Sequence, residues 1–344
     1  MSGYNVTFNP SEVEMRKFFK IAGYVVGAFV FLALAALAYF NMTYPRTAPP
    51  PDVKVEITPA RLARGEYLVR HVVGCFDCHS ERDWTKYAGP VVQGTEGRGG
   101  EKFDQATAGV PGTVYAYDIT PAGIGKWTDG ELIRAITCGV DNKGHALFPM
   151  MPYLHFNKLS LEDVYSIVAY IRSIKPIENK IPKRSLDFPM NLIVKTIPLH
   201  SYTPTSGPDT TDTVAYGKYL TNAATCIDCH TQMVNGQYMK GMEFAGGFAF
   251  NMGNGIDRSA NITPDSSTGI GKWTKEDFIN FFKAFASDSG GKIPVTPSQF
   301  NTPMPMVSLA GMTDYDLGAI YAYLRTVKPV HNEVVRFTPA KEAN

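Results

Sequence analysis

Residues 74–80 read GCFDCHS: two cysteines bracket two residues, and a histidine follows the second cysteine directly. Three kinds of site use a stretch of this type, namely a redox-active dithiol, half of a metal site, and a covalently attached haem. Each kind belongs to a different sort of protein. The rest of the chain therefore has to distinguish between them.

The chain repeats itself in three segments that follow one another in the same order. The cysteine pairs of the two copies lie 151 positions apart, and the closing segments match without a gap. The matching segments are GEYLVRHVVGCFDCHS (65–80) with GKYLTNAATCIDCHT (217–231), DITPAGIGKW (118–127) with NITPDSSTGIGKW (261–273), and MPYLHFNKLSLEDVYSIVAYIRSIKP (151–176) with MPMVSLAGMTDYDLGAIYAYLRTVKP (304–329). Three matches in one order predict a duplicated domain.

Each copy has the pattern of a small helical domain with long loops. A short helix precedes each CxxCH, and a Trp-Thr pair opens a second helix with Thr128 or Thr274 at the N-cap. A closing helix begins at Ser160 or Thr313, each followed three residues later by aspartate, and ends at a Lys-Pro pair. No stretch of useful length alternates as a β-strand does. The sequence therefore predicts an all-α fold.

The repeat favours haem over the other two chemistries. A zinc ribbon needs two CxxC pairs about 15–20 residues apart, whereas each copy has one, and an iron–sulfur cluster meets the same objection. A dithiol oxidoreductase needs a βαβ setting and does not explain the histidine. In haem c both thiols form thioether bonds and the adjacent histidine reaches the iron. The sequence predicts two haems, attached by Cys75, Cys78, Cys226 and Cys229 and ligated by His79 and His230.

The second copy indicates the other iron ligand. Between His230 and His331 there is no histidine or cysteine, so methionine is the strong ligand that remains. Met304 begins the gapless repeat match opposite Met151, and proline follows both. We therefore predict the ligand pairs His79/Met151 and His230/Met304.

Neighbouring residues offer alternatives to these ligands. Met150 and Met306 lie close by, although methionine more often fills a core. His145 and His155 have no counterpart in the second copy and are expected to be solvated loop residues. His71 should share the helix of the first motif, which keeps it from the opposite face of the haem.

Three further residues have two interpretations each. Cys138 is either a small buried apolar side chain or a thiolate ligand to the first haem. Trp127 and Trp273 occupy matched places, and each either packs in the core or donates its indole N–H to a haem propionate.

Residues 21–40 form an apolar run of twenty residues without a formal charge. At about 1.5 Å per residue, a helix of this length spans the roughly 30 Å hydrocarbon core of a bilayer. The run exceeds the roughly 7–15 residues of a signal-peptide core, although ALA near its end leaves cleavage open. The flanking charges favour an internal N-terminus; they are Arg16, Lys17 and Lys20 before the run and Arg46 and Lys54 after it. Residues 43–52 (TYPRTAPPPD) predict a proline-rich spacer.

The combination of CxxCH, NITPDSSTGIGKWT, the Met-Pro pair and YLRTVKP resembles the cytochrome c subunits of membrane-bound alcohol, aldehyde and sugar-acid dehydrogenases, within the class I cytochromes c. The resemblance spans about residues 61–335, including DFPMN (187–191) between the copies. It implies that the methionines of the Met-Pro pairs are iron ligands. Those subunits commonly hold three haems, whereas this chain has two CxxCH motifs, and the anchor suggests residence in a respiratory assembly.

We therefore expect two tandem class I cytochrome c domains behind one transmembrane helix. The expected function is electron transfer on the periplasmic side of a bacterial inner membrane, to or within a dehydrogenase, a quinol-oxidising complex or a terminal oxidase. The alternatives are a di-haem enzyme such as a thiosulfate dehydrogenase that uses Cys138, or a di-haem peroxidase. A formal net charge of +1 gives no indication of nucleic-acid binding.

The expected boundaries follow from the repeats and the apolar run. They are a cytoplasmic segment (1–20), a transmembrane anchor (21–40), a linker (41–60), domain 1 (61–180), a connector (181–212), domain 2 (213–335) and a C-terminal tail (336–344).

Overall fold

The computed structural model describes residues 10–234, 236–253, 255–286, 290–296 and 298–340. The chain divides into two compact units, residues 1–46 and residues 47–344. Residues 1–9 of the expected cytoplasmic segment and 341–344 of the expected tail lie outside the described residues.

The first unit is dominated by one long helix, α1 (Pro10–Thr43). Its portion Glu14–Thr43 is long and apolar enough to cross a membrane, and its side chains are exposed. The predicted anchor at 21–40 lies inside this helix, which continues upstream through the basic residues.

The larger unit begins with the first copy of the repeat. Its helices are α2 (Pro59–Tyr67), a π-helical turn (Leu68–Val72), α3 (Cys75–His79), α4 (Gln105–Ala108), α5 (Pro121–Ile124), α6 (Asp129–Cys138), α7 (Tyr153–Phe156) and α8 (Leu161–Ser173). Its strands are β1 (Lys102–Asp104), β2 (Gly112–Tyr115) and β3 (Ser185–Leu186), which form one antiparallel sheet in that order.

The connector and the second copy follow. The helices are α9 (Met190–Ile193), a 3-10 turn (Val194–Thr196), α10 (Thr213–Ala223), α11 (Cys226–His230), α12 (Lys275–Lys283), a 3-10 turn (Gly290–Lys292), α13 (Met306–Ala310) and α14 (Asp314–Leu324). The strands are β4 (Met233–Val234) with β5 (Gln237–Tyr238), and β6 (Ala249–Asn251), β7 (Gly255–Arg258) and β8 (Phe337–Pro339). All neighbouring strands pair antiparallel.

The chain is mostly helical, but the all-α expectation omits these strands. Each described strand is two to four residues long. A strand of that length contains at most two residues on each face, so it shows no readable alternation.

The predicted helix starts are confirmed at the level of individual hydrogen bonds. Thr128 accepts from the Glu131 amide at 3.1 Å, and Thr274 accepts from the Asp277 amide at the same distance. Both are complete capping boxes, because the acidic side chain returns a bond to the cap residue. Ser160 and Thr313 cap the closing helices with one bond each, accepting from an aspartate amide at 3.1 Å.

In each copy the first helix crosses the closing helix at a glycine. A Cβ at Gly65 would lie 2.0 Å from the Ser166 carbonyl oxygen, and one at Gly217 would lie 1.8 Å from that of Ala319. Only glycine permits backbones to approach so closely. Around the crossings α2–α8 and α10–α14 lies one hydrophobic core that runs through both copies and includes Leu68, Ile167, Leu220 and Leu317.

The first copy has one residue more than the second between the shared tyrosine and the first cysteine. Tyr67 precedes Cys75 by eight positions, whereas Tyr219 precedes Cys226 by seven. The π-helical turn absorbs the extra residue, with the Val73 amide bonded to the Leu68 carbonyl at 2.7 Å. The matched residues on either side of the insertion therefore keep equivalent positions.

Two segments expected to be peripheral are packed within the larger unit. The predicted spacer (43–52) is wrong from residue 47 onward, because the Ala48 amide donates to the His200 carbonyl at 2.7 Å and Gly130 lies against the Pro51 carbonyl. The expected tail contributes β8 to a sheet. The partners of both segments lie far away in the sequence, at His200 and in β7, so no local pattern could predict either contact.

Candidate metal centre

Each CxxCH motif forms its own five-residue helix. These are α3 and α11, and in both the residue before the first cysteine is left-handed, with φ of 66° at Gly74 and 53° at Thr225. A β-branched residue rarely adopts a positive φ, so Thr225 marks local backbone strain at the motif. Cysteines three positions apart on a helix lie on one face. Both thiols of each motif are free of disulfides.

The histidine of each motif is oriented by the backbone. His79 Nδ1 lies 2.7 Å from the Tyr117 carbonyl oxygen, and His230 Nδ1 lies 2.7 Å from that of Ala260. A carbonyl oxygen only accepts, so Nδ1 carries the proton and Nε2 keeps a free lone pair. Burial lowers the pKa of both imidazoles, that of His230 to about 4. Both histidines are therefore neutral at pH 7, the form that ligates a metal.

The predicted methionine ligands lie at equivalent places in the two copies. Met151 and Met304 are half-buried, and each carbonyl accepts a bond of 2.8 Å from the amide two residues on, that of Tyr153 or Met306. A short helix, α7 or α13, follows each Met-Pro pair before the closing helix begins, a step that the sequence did not predict. Their role as iron ligands stays a prediction.

The alternative ligands have other roles. Met306 is 2% exposed and is a core residue. His145 is exposed beside Asp141, as expected of a loop residue. His71 is half-buried, and its Nδ1 lies 3.0 Å from the Ser308 carbonyl oxygen.

The prediction that His155 is a solvated loop residue is wrong. It lies in α7 and is 9% exposed. Its Nδ1 lies 3.0 Å from Asn222 Oδ1 and its Nε2 lies 2.8 Å from Asp228 Oδ1, both in the second copy. These partners could not be predicted from the sequence, because they lie 67 and 73 residues away from His155.

Cys138 has the surroundings of a buried thiol. It is 3% exposed at the end of α6, and its sulfur lies 3.6 Å from the Thr137 hydroxyl. Burial raises its pKa, which opposes the thiolate that iron ligation requires.

The two tryptophans pack against aromatic neighbours. The rings of Trp127 and Tyr117 are 6.3 Å apart, and those of Trp273 and Phe281 are 5.4 Å apart, both edge to face. Core packing is therefore present at both positions. Contact with a haem propionate stays a prediction.

Several residues missed by sequence reasoning join the two copies. Tyr219 donates to Asp163 at 2.6 Å and accepts from the Ser160 amide at 3.0 Å. Tyr67 makes the reciprocal contacts with Asp316 and the Thr313 amide. The repeat does show that the two tyrosines and the two aspartates occupy matched positions. Nothing in the sequence indicates that each tyrosine bonds to the aspartate of the other copy.

The donors suit haem c better than a zinc cage. Structural zinc takes four ligands. Within the described ranges, no three or more His, Cys, Asp or Glu side chains are arranged so that they could hold a metal ion among themselves. Each motif helix instead supplies two thiols and one neutral imidazole, which is the set that haem c uses.

Comparison with known proteins agrees with this donor set. Residues 214–328 match the family described as cytochrome c. The chain is 29% identical over 291 residues to the cytochrome c subunit of alcohol dehydrogenase (quinone) from Gluconobacter oxydans, a match that covers 79% of this chain and 55% of that protein. It is 30% identical over 299 residues to the fructose dehydrogenase cytochrome subunit of Gluconobacter japonicus, covering 79% and 54%.

A third relative is similar over most of its own length. The chain is 26% identical over 271 residues to a diheme cytochrome c-type protein of Cereibacter sphaeroides, covering 75% of this chain and 83% of that protein. By contrast, the chain spans about half the length of the two dehydrogenase subunits. The chain therefore contains a cytochrome c domain, at residues 214–328, and it resembles the cytochrome c subunits of quinone-dependent alcohol dehydrogenase and fructose dehydrogenase.

Proposed function

We propose that the chain is a membrane-anchored electron carrier with two covalently bound haems, in tandem class I cytochrome c domains at 61–180 and 213–335. The observation that carries the proposal is the recurrence of one attachment helix with one histidine–carbonyl hydrogen bond, 2.7 Å long in both copies. Similarity to cytochrome c subunits and to a diheme cytochrome supports it.

The residues have separate tasks in this proposal. Cys75 and Cys78 hold the first haem and Cys226 and Cys229 hold the second. The Tyr117 and Ala260 carbonyls keep the two histidines in the tautomer that presents Nε2. Met151 and Met304 complete the ligand sets, and methionine raises the reduction potential relative to a second histidine. When bound, haem supplies a one-electron iron couple.

The two copies contact each other at the attachment helices. His155 of the first copy lies 2.8 Å from Asp228 in α11, and Ser308 of the second copy donates to Asp77 in α3 at 2.8 Å. Electrons are therefore proposed to pass between the two haems within one chain, with one haem facing the donor and the other the acceptor.

The cellular setting follows from the apolar helix. Residues 21–40 are proposed to anchor the chain in the bacterial inner membrane as a single span, with the haem domains in the periplasm. The proposed partners are other redox proteins, namely a dehydrogenase subunit, another cytochrome or an oxidase. Detergent extraction followed by identification of the co-purifying chains tests this part, and recovery of a lone monomer would count against an assembly.

The enzymatic alternatives have less support. Ligation by Cys138 requires a thiolate, and burial raises the pKa of this thiol. Turnover of thiosulfate or peroxide by the purified protein would revive them.

Spectroscopy of the purified full chain tests the carrier proposal. We expect two methionine-to-iron charge-transfer contributions in the near infrared and no high-spin haem. Met151→Leu and Met304→Leu should each remove one contribution, whereas Met306→Leu, a change in the buried core, should remove none. A high-spin haem, or a single contribution that Met304→Leu alone abolishes, would favour an enzyme.

A further inference from the structure

Each methionine segment contacts the attachment helix of the other copy. His155, four residues after Met151, lies with Nε2 2.8 Å from Asp228 Oδ1 in α11. Ser308, four residues after Met304, donates to Asp77 Oδ1 in α3 at 2.8 Å. Both aspartates stand between the two cysteines of a CxxCH motif. The contacts are thus reciprocal between the copies.

The helix that precedes each attachment helix strengthens its contact. Asn222 accepts from His155 Nδ1 through Oδ1 and donates to the His155 carbonyl through Nδ2, both at 3.0 Å. In the reciprocal contact, His71, which precedes α3 in the first copy, donates through Nδ1 to the Ser308 carbonyl of α13 at 3.0 Å. Burial lowers the pKa of His71, so the ring is neutral and donates from one nitrogen. Each short helix is therefore held at two points by the other copy.

The short helices need such support. The helices α7 and α13 are four and five residues long, and isolated helices below about 12–15 residues are marginal in water. Each begins directly after the proline of a Met-Pro pair. Displacement of the helix would therefore move the methionine that precedes it.

We propose that His155 and Ser308 are positioning residues, through which each attachment helix fixes the methionine that would ligate the haem of the other copy. The proposal rests on the methionine ligation put forward above. It makes each methionine–iron bond depend on the neighbouring copy as well as on its own.

The two supports are unequal. The Met304 segment has a further contact with the first copy: the buried Asn301 accepts from the Ala88 amide at 2.8 Å and donates to the Trp84 and Lys86 carbonyls at 3.3 and 3.2 Å. The adjacent Thr302 hydroxyl accepts from the Met304 amide at 3.2 Å. Three residues upstream of the gapless match, the counterpart of Asn301 is Phe148, whose side chain cannot make these bonds. Met151 therefore depends more on His155 than Met304 depends on Ser308.

The test measures how readily imidazole displaces each methionine from ferric haem in the full chain. In a Met304→Leu background the only methionine–iron signal comes from the first haem, and in a Met151→Leu background it comes from the second. We expect His155→Ala to lower the imidazole concentration needed at the first haem about tenfold, the size typical of a hydrogen bond to a charged group. Ser308→Ala should lower it about threefold at the second haem.

A change in the other copy separates positioning from local damage. Asp228→Asn lies in the second copy, yet it should weaken the Met151–iron bond of the first haem as His155→Ala does. Leu154→Ala, at an exposed position of α7, is the control and should leave the titration unchanged. His155→Gln retains a polar side chain and replaces His155→Ala if that variant does not fold.

The outcomes are distinct. If the parent backgrounds show no methionine band, the ligand assignment fails and the positioning proposal falls with it. If the bands are present but both His155→Ala and Asp228→Asn match Leu154→Ala, only the positioning proposal is overturned.

Discussion

At the scale of single residues, His155 shows how a distant partner determines a role. Burial alone lowers the pKa of a histidine, but the hydrogen bond and charge of Asp228, with a further bond from Asn222, raise the pKa of His155 overall. Because Asn222 Oδ1 and Asp228 Oδ1 both accept, the protonated ring fits this site. Sequence reasoning located the iron ligands through the motifs but could not find a partner that only folding brings near.

The raised pKa of His155 predicts how stability depends on pH. A group whose pKa is higher in the folded state stabilises fully below its unfolded value, about 6.5 here, and loses the effect as pH rises through the folded value. The difference in unfolding free energy between the parent and His155→Gln should be largest near pH 6 and shrink above it. Urea unfolding from about pH 6 to 9 measures this, and a difference that grows with pH would contradict it.

Cys138 gives a second prediction at this scale. If it is a buried thiol, Cys138→Ala should leave the absorption spectrum and both reduction potentials unchanged and cost roughly 1 kcal/mol of stability through lost burial. Potentiometric titration measures this. A shifted potential at the first haem would show that the sulfur reaches the iron.

At the scale of elements, the glycine crossings are the most sensitive packing contacts. Gly65→Ala and Gly217→Ala each add a methyl group where a carbonyl oxygen already lies within 2.0 Å. We expect each to destabilise the holoprotein by about 1–3 kcal/mol, the usual cost of overpacking. Denaturant unfolding measures it.

The matched copies provide the control for this prediction. Because the two crossings are equivalent, the two substitutions should have similar effects. If neither Gly65→Ala nor Gly217→Ala changes the unfolding midpoint, the helices can move apart at these crossings without loss of unfolding free energy, which would contradict the prediction.

Helices were predicted where caps and apolar periodicity coincide, as at Thr128 and Ser160. We did not predict the short helices α7 and α13 or the strands. These elements are defined by their backbone hydrogen bonds and are too short to show a side-chain pattern. The π-helical turn was visible only as a difference of one residue between the repeats.

At the scale of the whole molecule, the repeat predicted the duplication but not how the copies dock. Besides the shared core, docking uses polar groups, such as the Tyr219 hydroxyl between Asp163 and the Ser160 amide. An interface taken as a whole is only about as apolar as the rest of a protein surface, so its composition does not mark it. Sequence alone therefore could not locate the contact between the copies.

The docking contacts lead to a prediction about global stability. Tyr219→Phe removes a hydroxyl that serves a carboxylate and a backbone amide, and should cost about 1–3 kcal/mol. Tyr67→Phe at the reciprocal position should cost a similar amount. The control is Tyr315→Phe, at an exposed ring, for which we expect a smaller loss. An equal loss of unfolding free energy in all three variants, measured in urea, would show that the contacts between the copies add no more stability than the contact of an exposed tyrosine.

The central claim is that each copy binds one haem covalently through its two cysteines. Mass spectrometry of tryptic peptides from the mature full chain tests it most directly. Trypsin releases the peptides 71–82 and 219–240, and each contains one CxxCH motif. We predict that both peptides carry the added mass of one haem. Either peptide found without haem, with free thiols or with a disulfide, would contradict the account.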